Sequence, residues 1–143
     1  EVMYSAGDFK AHISASDVGG WGRIAAYGAY TFSGWTVALG VQDSSNLGDT
    51  EWTASVGGTI GPVDLGLAYA DNGTNGDRIV LSGRVDVGAA TNVEAYYTDD
   101  SLAGDSYGID FNHDLGGGTS LRGGVVRNFA GDTNADFGVR FNF

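Results

Sequence analysis

Five glycine-bearing turn signals recur along this chain at nearly constant spacing, and that period limits its possible folds more than any other feature. The signals are Gly7-Asp8, Ser33-Gly34, Gly61-Pro62, Gly88-Ala89-Ala90 and Gly116-Gly117-Gly118. From Gly7 through Gly34, Gly61, Gly88 and Gly116 the steps are 27, 27, 27 and 28 residues. Between them lie longer polar stretches: Asp17–Gly22, Asp43–Glu51, Asp71–Asp77, Asp99–Asp105 and Ala130–Asn134. These are rich in Asp, Asn, Ser and Gly, which favour turns and tolerate positive φ. Each unit is therefore a hairpin: strand, tight turn, strand, longer loop. The residues inside the units differ from one unit to the next, so the period describes an up-and-down meander and not a solenoid.

No segment sustains a 3.6-residue period and glycine interrupts every window, which nearly excludes helices. Eleven strands are predicted at residues 1–5, 9–16, 23–32, 35–43, 51–60, 63–71, 77–87, 91–99, 106–115, 119–129 and 135–143. Most are nine to eleven residues long, the length that crosses a bilayer at a steep tilt. Strands of soluble proteins are nearer ~5–6 residues. The 143 residues read as a single domain without cysteine, and no run of 18 apolar residues supplies a transmembrane helix. No charged and apolar leader opens the chain, which reads as a mature sequence or a fragment. A formal charge of −11 argues against nucleic acid as a partner.

Facing follows from the two-residue period of a strand. One parity collects Phe9, Ile13, Ile24, Tyr30, Val37, Leu39, Val56, Leu65, Leu67, Leu81, Val93, Ile109 and Val125. The other collects six of the seven basic residues, namely Lys10, Arg23, Arg78, Arg84, Arg122 and Arg140, together with Asp64, Asp86, Glu94, Asp110, Asp114 and Asp136. A sandwich would bury the first face; a membrane barrel would turn it to lipid and line its lumen with the second. Aromatic residues gather at the tight-turn end of the strands, as Phe9, Tyr30, Phe32, Trp35, Phe141 and Phe143, which suits a membrane-interface girdle. Loop asymmetry, tight turns on one side and longer acidic loops on the other, points the same way. The fold expected is an all-β, antiparallel, up-and-down transmembrane β-barrel.

The closing stretch ADFGVRFNF alternates strictly and ends on an aromatic residue. It resembles the last strand of bacterial outer-membrane barrels, and the resemblance implies that Phe141 and Phe143 act as an assembly signal. The stretches DNGTNGDRIVLSGRVDVGAATNVEAYYTDD, DSYGIDFNHDLGGGTSLRGGVV and NADFGVRFNF resemble the C-terminal two-thirds of trimeric general porins of the alphaproteobacterial, Rhodobacter-like type. That family implies a sixteen-stranded homotrimer in the outer membrane, in contact with lipid and lipopolysaccharide, passing small hydrophilic solutes by diffusion. Its long constriction loop has no counterpart here, because no outer loop exceeds about nine residues.

The candidate pore lining is Lys10, Arg23, Tyr27, Asp64, Arg78, Arg84, Asp86, Glu94, Tyr96, Asp110, Arg122, Asp136 and Arg140. Catalysis is not expected: no Gly-x-Ser-x-Gly elbow is present, and the paired acids read as hydrated lining. His12 and His113 have no second His or Cys at ligand spacing, so zinc is not expected. His12 reads as a lumen residue, and His113 as outward-facing near the Gly116 turn. No cofactor is expected, although calcium could find oxygens at Asp71 and Asp77 or at Asp99 and Asp105, neither pair fitting an EF-hand. The alternative to a diffusion pore is a small closed barrel with a plugged interior, serving as anchor, adhesin or binding module. The inward Gly40, Gly57, Gly66, Ala25 and Ala38 would fill such an interior poorly. Eleven is an odd number, and the first and last strands run the same way, so antiparallel closure within these residues is not expected. A fragment with an unpaired edge near Val2–Ser5 is the sequence expectation.

Overall fold

A computed structural model describes residues 1–18, 21–45 and 48–142. Eleven strands follow in order: β1 (Val2–Ala6), β2 (Phe9–Val18), β3 (Trp21–Phe32), β4 (Trp35–Ser44), β5 (Glu51–Ile60), β6 (Val63–Asp71), β7 (Asp77–Val87), β8 (Thr91–Asp100), β9 (Gly104–Gly116), β10 (Thr119–Arg127) and β11 (Thr133–Phe141). One 3-10 turn, Gly73–Asn75, lies between β6 and β7. The strands form one antiparallel sheet in chain order, so each pairs with its sequence neighbours. β1 and β11 stand at the two edges and run in the same direction; no ladder joins them among the described residues.

The tight connections use residues that reach the left-handed region. Ser33 and Gly34 have φ of 48° and 80°, and Gly61 has φ of 59° ahead of Pro62. Two-residue hairpins need such mirror-image turns because their twist matches that of the flanking strands. Gly61 takes the positive φ without a Cβ clash, and Pro62 fixes the next φ near its negative value.

At the opposite end, two of the predicted longer loops are shorter than expected. Asp99 pairs with Asp105 and Asp100 with Gly104, which leaves only residues 101–103 between β8 and β9. Asp17 pairs with Gly22 in the β2–β3 ladder, and residues 19–20 lie outside the described ones. Polar composition does not end a ladder, since a hydrated rim accommodates paired backbone as readily as a loop. The β9–β10 register slips between Thr119 and Ser120: Gly116 faces Thr119, Asp114 faces Ser120, and Leu115 is the extra residue. β11 is placed two residues earlier than predicted, and Phe143 lies outside the described residues.

This sheet has no apolar core. Ala29 is the one buried apolar residue among those described. Leu39 is 59% exposed, Leu81 52% and Ile109 54%, so the apolar face carries no second layer. Two of its glycines are covered by rings from a neighbouring strand, while Gly28 stands open. The Trp35 ring lies over Gly58, its cross-strand partner. A Cβ added at Gly123 would sit 2.9 Å from Phe111 and 3.1 Å from Phe137, whose rings are 6.4 Å apart. Rings laid over bare backbone keep that surface smooth and apolar.

Candidate pore wall

Register decides which side chains share a face, because directly opposed residues in an antiparallel ladder project to the same side. Followed across the ten ladders, the thirteen charged or tyrosine positions selected from the sequence all fall on one face. One row runs Thr59, Asp64, Arg84, Glu94, Asp110, Gly124, Asp136. The row beside it, nearer the tight turns, runs Asp86, Asn92, Asn112, Arg122, Gly138. Ser120 and Arg140 follow in the next row.

The cations on this face differ in how they are held. Arg78 donates from Nε and Nη2 to Asp100 Oδ2 at 3.0 and 2.8 Å, and its guanidinium lies 5.8 Å from the Phe129 ring centroid. Asp100, with only 7% of its side chain exposed, also accepts the backbone N–H groups of Leu102 and Ala103. This carboxylate ties the 101–103 connection to the wall. Arg84 lies between Glu94 at 3.3 Å and Asp86 at 3.4 Å. Arg122 donates to Ser120 Oγ and Arg140 to Asn142 Oδ1. No ion pair among the described residues includes either of them.

The carboxylates are crowded. Glu94 directly opposes Asp110, and Asp110 and Asp136 flank Gly124. Like charges set opposite one another are destabilising. At ~4 Å the repulsion is about 1 kcal/mol in water but about 4 kcal/mol at an effective dielectric constant of 20. The arrangement is tolerable where water covers the face.

Several residues of this wall were not selected from the sequence. Asp100, Asn92, Asn112, Gln42 and Glu51 share the polar face, with Gln42 Nε2 donating to Glu51 Oε2 at 2.6 Å. Their parity alone would have found them. His12 lies on the polar face opposite Tyr27, with a Glu1 carboxylate oxygen 3.4 Å from its Nε2. His113 lies on the apolar face, where its Nδ1 is 2.7 Å from Thr91 Oγ1. Arg127, the seventh basic residue, is also on that face, near Asp105 at 3.3 Å and the Tyr107 ring.

Two of the loop acids, Asp71 and Asp105, have side-chain partners on adjacent strands. Asp71 accepts from Trp52 Nε1 and from the Gly73 N–H, and Asp105 from Arg127. Among the described residues no three His, Cys, Asp or Glu side chains converge as a metal site would require.

The apolar face carries aromatic residues at both ends. Toward the tight turns stand Tyr4 and Phe9, Tyr30 and Phe32, each pair with centroids 6.4 Å apart. Toward the loops stand Trp52 and Tyr69, 5.1 Å apart, with Tyr97 opposite Tyr107. Of these, the sequence reading placed Phe9, Tyr30 and Phe32 in a girdle, and neither Tyr4 nor the loop-side group.

A one-layer antiparallel meander, charged on one face and bare apolar on the other between two aromatic belts, defines the wall of a membrane-embedded β-barrel. Residues 1–134 match the family model described as Gram-negative porin. The chain belongs to that family, whose members are outer-membrane β-barrels. It is 42% identical over 83 residues to "Porin" of Fuscovulum blasticum, a match covering 55% of this chain and 28% of that protein. It is similar to a solved triple mutant of Rhodopseudomonas blastica porin, with a TM-score of 0.82 at 27% identity over 99% of this chain and 53% of that one. A porin refined at 1.8 Å resolution gives a TM-score of 0.77 at 27% identity, over 99% of this chain and 60% of its own. The chain thus spans about half the length of the first of these solved porins, where the sequence resemblance implied two-thirds.

Proposed function

We propose that these eleven strands form part of the wall of a water-filled pore through which small hydrophilic solutes and ions diffuse across the outer membrane. The observation that carries the reading is the segregation of faces. Lys10, Arg23, Asp64, Arg84, Asp110, Arg122 and Arg140 share one face, while the other is apolar and uncovered. Water on the first face and lipid on the second satisfy both. Mixed charges along the wall set up a field that orders water and disfavours apolar solutes.

Since β1 and β11 run in the same direction, they cannot pair antiparallel with each other. The proposed ring is therefore completed by an odd number of strands beyond these eleven. Family membership supports a homotrimeric assembly in contact with lipid and lipopolysaccharide. The role proposed is passage and not catalysis, and it requires no cofactor.

Planar-bilayer recording with protein purified from outer membranes tests the reading. Stepwise, ohmic conductance increments in potassium chloride are expected. Stable insertion without increments would favour the plugged barrel, an anchor or binding module, in its place.

A further inference from the structure

We propose that the polar face around Gly124 is a transient subsite for zwitterionic solutes of the free α-amino-acid class. The proposal rests on the pore reading and deepens it.

It follows from the charges that remain once every ion pair is formed. Arg78, Arg84 and Arg127 each meet a carboxylate. Among the described residues Lys10, Arg23, Arg122 and Arg140 meet none; of these, Arg122 lies beside Asp110 and Asp136, which meet no cation. The side-chain oxygen of Asn112 is buried and has no hydrogen-bond partner. Arg122, Asn112, Asp110 and Asp136 are neighbours in the ladder. Asn112 directly opposes Arg122, and one row away Asp110 and Asp136 stand on either side of Gly124. Rows on one face are ~6.6 Å apart along a strand, so Arg122 and the two free anions flank a common space. That space is a cleft of about 440 Å³, also bordered by Arg84 and Glu94.

Gly124 stands beside this cleft, between the two aspartates in the ladder. A Cβ there would lie 3.0 Å from Asp110 Cβ and 3.1 Å from the Ile109 carbonyl oxygen. A side chain there would crowd Asp110.

The chemistry left unsatisfied is that of an amino acid in reverse. A guanidinium presents paired N–H groups to a carboxylate. An ammonium has three N–H donors and no acceptor, which matches the acceptor oxygens of Asp110 and Asp136 on the cleft. A solute bearing only one charge satisfies half of the set and is repelled by the rest. Exposed pairs in a wet channel are weak, and a passing solute must also leave.

Proteoliposome swelling in isotonic L-alanine, lactamide and sodium lactate tests the subsite, with bilayer conductance recorded on the same preparation. Alanine is expected to enter about threefold faster than lactamide, as two exposed ion pairs would supply. Arg122→Gln and the double variant Asp110→Asn/Asp136→Asn should each bring that ratio to about one. A conducting parent that admits alanine and lactamide equally would overturn the subsite and leave the pore standing. An alanine preference that persists in both variants would overturn it too. If the parent does not conduct, the pore reading fails, and saturation-transfer NMR of alanine against the detergent-solubilised protein decides the subsite. A signal lost in Arg122→Gln then supports it, and no signal in the parent overturns it.

Discussion

Replacing Leu81 with arginine discriminates between the two faces at one depth. Leu81 lies near the middle of β7, opposed by Leu67 on one side and Tyr97 on the other, and is 52% exposed on the apolar face. If that face meets lipid, the guanidinium is placed in hydrocarbon near the midplane, at a cost of ~2–4 kcal/mol. That is about 30- to 700-fold in the folding equilibrium. Ser82 is the depth-matched control, since it sits on the polar face between Gly66 and Tyr96. There an arginine meets a hydrated wall, and Ser82→Arg should change stability by less than ~1 kcal/mol. Reversible urea unfolding in lipid vesicles, followed by tryptophan fluorescence, reads both variants. A Leu81→Arg protein as stable as the parent, with Ser82→Arg strongly destabilised, would show that the assignment of faces is reversed.

Three further outcomes follow from the same structure. Gly123→Leu should lose ~1–3 kcal/mol by overpacking, because its Cβ would lie 2.9 Å from Phe111 and 3.2 Å from the Asp136 carbonyl oxygen; an unchanged urea midpoint would count against the ring cover. Asp100→Ala removes the acceptor for Arg78, Leu102 and Ala103, and should cost ~1.5–3 kcal/mol and open residues 101–103 to proteolysis; a parent-like cleavage rate would refute the tether. Deleting Phe143, from the resemblance of the last strand to barrel-closing strands, should lower the amount inserted in cells while detergent-refolded protein melts near normally. Equal insertion of deletion and parent would remove the assembly role.

Backbone architecture was largely legible because two local signals agreed on it. Hairpin turns need residues that accept positive φ, and strands need a two-residue period. The predicted ranges 51–60, 63–71 and 77–87 coincide with β5, β6 and β7. Facing was legible for the same reason, since parity propagates across every ladder once the turns are placed. The Asp99–Asp105 stretch misled because acid content reports hydration, not the end of pairing. Partners were hidden for a different reason. Arg78 meets Asp100 and Trp35 covers Gly58 only through register, and composition carries no register. Nor could spacing show that Arg122 has no carboxylate partner among the described residues while Arg84 has two nearby. The second aromatic belt emerged only when Trp52 and Tyr69, seventeen positions apart in the chain, proved to lie 5.1 Å from each other.

The central claim is that the charged face borders water in a conducting lumen, and substituted-cysteine blocking tests it most directly. The chain has no cysteine of its own, so each introduced thiol in it reports alone. Cysteines placed singly from Ile79 to Arg84 on β7 are exposed to a membrane-impermeant cationic thiol reagent during current recording. Stepwise loss of current is expected at Val80, Ser82 and Arg84, with none at Ile79, Leu81 and Gly83. Block at the odd positions, or no alternation along the strand, would contradict the account.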